Sequence, residues 1–140
     1  MMENFLIEPL KGYGDFQFGM SIDEVVESLG QPSNQEEIES AYDDGNHIIV
    51  LDYEDFDLSM YFEGDTVQRL ANFYTYNENS VLFGAKIFDL NKDQLIELMK
   101  ENGYDDFVED NEDGECLTYD ELNLDFYFDG NQLVEVFWEI

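Results

Sequence analysis

Apolar residues recur along this chain with two alternating periods. From Ser21 onward Ile22, Val25, Val26 and Leu29 fall three and four apart, with Glu24 three residues after Ser21. That spacing predicts an amphipathic helix opened by a capping box and closed at Gly30 and Pro32. The same signal returns at Asn91 and Gln94, where Leu95, Ile96, Leu98 and Met99 form the apolar side and Lys100 and Gly103 mark the end. After each helix the period falls to two. Phe56, Leu58, Met60 and Phe62 alternate with Asp57, Ser59 and Tyr61, and Leu122, Leu124, Phe126 and Phe128 alternate with Asn123, Asp125, Tyr127 and Asp129. These are half-buried strands with one wet face. Asp44-Gly45, Asp113-Gly114, Glu63-Gly64-Asp65 and Asp129-Gly130-Asn131 supply hairpin turns between them. The last strand is expected to place Val134, Val136, Trp138 and Ile140 in the core, with Leu133 and Phe137 on the exposed face.

The two stretches are copies of one pattern. At an offset of 66, Leu51 to Asn72 overlays Leu117 to Trp138, matching Leu51 with Leu117, Tyr53 with Tyr119, Leu58 with Leu124, Tyr61 with Tyr127, Phe62 with Phe128 and Gly64 with Gly130. Upstream the offset is 70: Phe18, Met20, Ser21, Asp23, Val25, Val26 and Glu27 meet Phe88, Leu90, Asn91, Asp93, Leu95, Ile96 and Glu97. An internal repeat of helix plus meander follows. The expected fold is α+β, a single domain over residues 1–140 built of two tandem units, about 10–76 and 80–140. Each unit is one helix and four strands, so one antiparallel sheet of about eight strands carries helices on one face.

This tandem pattern, with its opening Phe18-Gly19-Met20-Ser21-Ile22-Asp23-Glu24-Val25 leading to Leu29-Gly30-Gln31-Pro32, resembles the beta-lactamase-inhibitor-protein fold and the related outer-membrane-assembly lipoprotein modules. The second unit has Phe88-Asp89-Leu90-Asn91-Lys92-Asp93-Gln94-Leu95 and lacks the Leu-Gly-x-Pro ending. The resemblance implies a binding protein, commonly an inhibitor, that presents a broad sheet face to its partner.

Charge narrows the kind of partner. The chain has 35 Asp and Glu against 5 Lys and Arg, a formal net charge of -30, yet 44% of its residues are apolar and 16% aromatic. Such acidity alone suits a disordered tail, but the aromatic content supplies a core, so the acids belong on the surface of a folded chain. At 140 residues that chain buries roughly 68% of its unfolded surface. Nucleic acid and anionic membranes are poor partners, because binding phosphates relies on Lys and Arg. A basic protein is the favoured partner, steered by a field that decays over about 8 Å in physiological salt. Solubility alone needs perhaps a third of this charge. The amino terminus shows no basic segment followed by an apolar run, which favours the cytoplasm. Cys116 is the single cysteine and His47 the single histidine, the latter read as a strand residue beside Ile48-Ile49-Val50.

No nucleophile motif and no phosphate loop are present, and accidental acid pairs are inevitable among 35 carboxylates, so no enzyme and no cofactor are expected. Residues 109–120 place acids or Asn at positions 1, 3, 5 and 12 of a twelve-residue loop with Gly114 at position 6, as a calcium loop does. Yet Glu109 and Asp120 reverse the usual ends and the following segment reads as strand, so an acidic hairpin turn is preferred and no metal is assigned. The remaining constellation is the wet sheet face. Asp57, Tyr61, Asp125, Tyr127, Asp129, Glu135 and Phe137 are the candidate partner-binding residues, with Asp110 and Asp113 from the acidic stretch 104–115. Aromatics offer contact area at little entropic cost and acids pair with a partner's Lys and Arg.

In style the chain also resembles the immunity proteins bacteria make against toxins. The leading expectation is an acidic immunity or inhibitor protein that covers the cationic groove of a basic toxin, most plausibly a nuclease. A phage-type DNA mimic acting on a defence nuclease or DNA-binding protein, a calcium-binding module and a chaperone for a basic effector stay open as alternatives.

Overall fold

Both predicted capping boxes form. Ser21 Oγ accepts from the Glu24 amide while Glu24 Oε1 accepts from the Ser21 amide, each at 3.2 Å, and helix α1 (Ile22–Leu29) begins there. Asn91 Oδ1 accepts from the Gln94 amide at 2.9 Å and Gln94 Oε1 from the Asn91 amide at 3.0 Å, opening α2 (Lys92–Glu101). The computed structural model describes residues 4–39, 46–111 and 115–140. The predicted turns at Asp44-Gly45 and Asp113-Gly114 lie outside these residues.

In chain order, three two-residue strands precede α1: β1 (Ile7–Glu8), β2 (Gly12–Tyr13) and β3 (Phe16–Gln17). After α1 come β4 (Asn34–Glu39), β5 (His47–Tyr53), β6 (Leu58–Gly64) and β7 (Arg69–Thr75). A second short hairpin, β8 (Val81–Leu82) with β9 (Ala85–Lys86), precedes α2. Then follow β10 (Val108–Asp110), β11 (Glu115–Tyr119), β12 (Leu124–Asp129) and β13 (Gln132–Glu139). The four strands after each helix make one half of an eight-stranded sheet ordered β10-β11-β12-β13-β7-β6-β5-β4, antiparallel throughout. The fold is therefore α+β, and its two halves meet where β13 pairs with β7.

The repeat holds to the level of single hydrogen bonds. A 3-10 turn links the second and third strand of each half, Glu54–Phe56 and Asp120–Leu122, and ends in a left-handed residue, Asp57 at φ 50° and Asn123 at φ 49°. Asx side chains tolerate that conformation better than most, which explains why neither position needs glycine. Each helix cap also bridges to the first residue of its closing strand, Ser21 to Arg69 and Asn91 to Gln132.

The correspondence shifts inside the last hairpin. Glu63 pairs with Arg69 across five intervening residues, but Asp129 pairs with Gln132 across two. The offset therefore drops from 66 to 63, and Asn72 corresponds to Glu135 rather than to Trp138. Both hairpins then carry a bulge, between Tyr61 and Phe62 opposite Ala71 and between Tyr127 and Phe128 opposite Val134. A bulge absorbs one residue and resets the alternation. For that reason Leu133 is buried at 2% exposure and Val134 is only half-buried, the reverse of expectation. Ile140, past the end of β13, is 69% exposed rather than in the core. Val136, Trp138 and Phe137 lie as the alternation predicts.

The core lies between the helices and the inner sheet face. Val25, Leu95 and Met99 pack there with Leu51, Leu58, Phe62, Leu117, Leu124 and Phe126. At the junction of the halves Trp138 stacks on Phe73 at 5.2 Å and meets the edge of Tyr13 at 5.3 Å, while Phe18 lies 5.3 Å from Phe73. Tyr13 in turn shares a 2.7 Å hydroxyl pair with Ser80, so the two short hairpins buttress this aromatic cluster.

Candidate functional site

The register turns the outer face of the sheet into continuous rows of side chains. One row crosses all eight strands: Asn34, Asp52, Ser59, Tyr74, Phe137, Asp125, Thr118 and Val108 are successive partners. On one side of it run Glu36, Val50, Tyr61, Asn72 and Glu139, and on the other Glu135, Tyr127, Cys116 and Asp110. None of these thirteen further positions and row members is Lys or Arg. The sheet-face cation nearest by register is Arg69, paired with Glu63 at the strand end, and its guanidinium turns away to donate to Gly19 O at 3.0 Å.

Within each half one carboxylate is held by a hydroxyl on the neighbouring strand. Ser59 Oγ donates to Asp52 Oδ1 at 2.5 Å, and Asn34 Nδ2 adds a 3.3 Å bond to Oδ2. In the other half Thr118 bonds Asp125. Asp52 corresponds to Thr118 and Ser59 to Asp125, so the same pair of positions carries acid and hydroxyl in exchanged order.

Between the two carboxylates lies an aromatic centre. Tyr74 and Phe137 are direct partners across the β7–β13 junction, and Tyr61 meets Phe137 edge-on at 6.3 Å. Burial raises the Tyr74 phenol above its ordinary value, and its hydrogen bond and proximity to Glu135 raise it further. Burial pushes Tyr127 up to about 12, helped by Asp125. Tyr61 is raised by burial and then by Asp52 and Glu36. These phenols stay neutral at physiological pH and remain hydrogen-bond donors within an anionic surround. Burial also raises the Asp125 carboxyl, with Thr118 opposing and Asp120 adding to the shift, and raises Glu139 beside Asp125 and Glu63. Cys116, half-buried among them, has its thiol pushed up by burial, which disfavours the thiolate.

Six of the nine predicted residues thus share this face: Tyr61, Asp125, Tyr127, Glu135, Phe137 and Asp110. Asp129 sits at its margin, paired with Gln132 at the hairpin end. Asp57 does not join the rows; it is the left-handed residue closing the 3-10 turn, where its carbonyl accepts from Thr75 Oγ1 at 3.0 Å. Asp113 lies outside the described residues. The chain alternation missed Asp52, Tyr74, Glu139 and Thr118. Tyr74 was recoverable, since it is the counterpart of Phe137 once the offset of 63 is used.

A recess of about 260 Å³ opens at the Asp52 end of the long row, lined by Asn34, Asp52, Tyr53, Glu54, Leu58, Ser59 and Tyr76. Its floor is the apolar Leu58 and Tyr53, and its rim is carboxylate and phenol. At the opposite end Lys92, at the start of α2, reaches Glu109 and, at 3.7 Å, Glu115, joining the helix to β10 and β11. His47 pairs with Glu37 at 3.0 Å across β5 and β4. In the calcium-like segment, residues 115–119 form strand β11 where a calcium loop continues into helix. No group of three or more His, Cys, Asp or Glu placed to hold a metal occurs among the described residues. Among them no helix is long and apolar enough to cross a membrane. Comparison with protein-family models, with curated proteins and with solved structures returns no match.

Proposed function

We propose that this protein is an acidic binding and inhibitory protein whose outer sheet face docks a basic protein, in the manner of an immunity protein covering the cationic groove of a toxin, a nuclease above all. One observation carries the reading: three adjoining rows of carboxylates, phenols and Phe137 without a Lys or Arg among them. A face that served only solubility has no need of half-buried aromatics, and a face that served only as core cover has no need of unneutralised acids. A groove built to hold phosphates presents Lys and Arg at intervals and flat apolar floor between them, which is the complement of this surface. Association with such a partner is fast and falls steeply with ionic strength.

The test is capture of the product of the neighbouring open reading frame by the purified protein, followed by assay of that product's toxicity or nuclease activity. The reading holds if wild type binds and inhibits while Asp125→Lys and Phe137→Lys do not. It fails if the neighbour's product is untouched, or if binding is indifferent both to salt and to those two changes.

A further inference from the structure

We propose that the outer face is a two-point anchor: Asp52 and Asp125 each receive one cationic side chain of a basic partner, and the partner's flat or apolar surface between them lies on Tyr74 and Phe137. This rests on the docking role proposed above and specifies the partner's chemistry. Asp52 on β5 and Asp125 on β12 stand in the same eight-strand row, four strand spacings apart, or about 19 Å. The two are related by the repeat rather than placed at random, because each uses the same two register positions to hold a carboxylate against a hydroxyl. That hydroxyl fixes the carboxylate, so little side-chain entropy is lost when a cation arrives.

The middle of the row is unsuited to a cation held by itself and suited to area. Tyr74 is already committed to Glu135 and Phe137 has no polar atom, so contact there excludes water from the flanking ion pairs. The two ends differ in shape. At Asp52 the recess has an apolar floor for a methylene stem and Glu54 and Tyr76 beside the carboxylate, which fits a long Arg or Lys side chain entering end-on. At Asp125 the carboxylate is flanked by Phe137 and Thr118, and Phe137 offers a ring for a planar guanidinium to lie against.

The experiment uses two arginine-containing peptides as probes. Both are helical, alanine-rich chains of roughly 24 residues with the same charge and the same central leucines; the arginines are about 13 residues apart in one and about 4 in the other. Binding to the full chain is measured by fluorescence anisotropy at physiological salt. The wide-spaced peptide is expected to bind about tenfold more tightly, and Asp52→Asn or Asp125→Asn alone should remove that preference. Ser59→Ala and Thr118→Val provide a second pair of variants that weaken the preference without changing charge. Equal affinity for both spacings, or no binding of the wide-spaced peptide, overturns the two-point anchor. If Phe137→Lys and Tyr61→Lys still abolish capture of the basic partner in that case, the docking face stands without it; if they do not, both readings fall.

Discussion

The indole Nε1 of Trp138 donates to the carbonyl oxygen of Gly12 at 3.1 Å, tying the last strand of the chain to its first hairpin. Both groups are buried, so the bond cannot be exchanged for water. Trp138→Phe should destabilise the protein by about 2–3 kcal/mol, from lost volume and a stranded carbonyl together. Gly12→Ala should be at least as harmful, since a Cβ there meets Phe16 O at 2.0 Å. Denaturant melts of both variants provide the check, and an unchanged midpoint for either would show that the hairpin does not brace the core.

Half-buried carboxylates on the outer face give stability a definite pH trend. Burial raises Asp125 and Glu139 above their ordinary values, so the folded chain binds more protons than the unfolded one between the ordinary and raised values. Stability should therefore fall as pH rises through that window and level off above it. Asp125→Asn removes the ionisation, so it should raise the melting temperature by a few degrees at neutral pH. The gain should shrink as pH falls through the carboxylate range. A gain that is independent of pH would point to a cause other than charge.

Salt acts on the same surface more broadly. With -30 net charge, the compact chain repels itself, and ions shorten the reach of that repulsion to about 8 Å at physiological strength. The melting temperature should rise between low and moderate sodium chloride, and the rise should be smaller in a variant with several outer-face acids made neutral. A flat response would mean the acids are already dispersed beyond mutual reach.

Lys92 is an exception to the anionic surface and shows what a cation is worth there. Glu109 and Glu115 raise its pKa, and in losing the ammonium they would face each other. Lys92→Met should cost about 1 kcal/mol at low salt, at the upper end for a surface pair, and less as salt is added. Equal cost at both salt levels would assign the effect to packing of the lysine stem.

Helices, capping boxes and the period-two strands were readable because each is local: Ser21 with Glu24 or Leu58 with Met60 states its geometry within four residues. The two-residue strands before each helix left no period to read, although Phe83 and Gly84, both at positive φ, make a tight turn there. The face was legible up to the bulges. Beyond them, alternation counted from Tyr127 assigns Leu133 and Val134 to the wrong sides, and the constant offset hides the match of Tyr74 with Phe137. Asp52 was invisible for a different reason, since its role comes from Ser59 and Asn34 on other strands, contacts that only the sheet register creates.

Tyr53 and Tyr119 occupy the same position in the two halves yet differ in one bond. Tyr53 donates its hydroxyl to Gly30 O at 2.8 Å, at the end of α1. The longer α2 and the missing Leu-Gly-x-Pro ending leave no equivalent carbonyl, and the buried Tyr119 hydroxyl has no partner among the described residues. Its pKa is pushed up to about 12 by burial alone, as expected for a phenol enclosed between Phe107 and Phe126. The same substitution should therefore act in opposite directions. Tyr53→Phe strands the Gly30 carbonyl and should cost about 1 kcal/mol, whereas Tyr119→Phe removes an unsatisfied hydroxyl and should be neutral or stabilising by up to about 1 kcal/mol. Chemical denaturation of the two variants side by side distinguishes this from a shared packing role, because packing alone would make both changes cost alike.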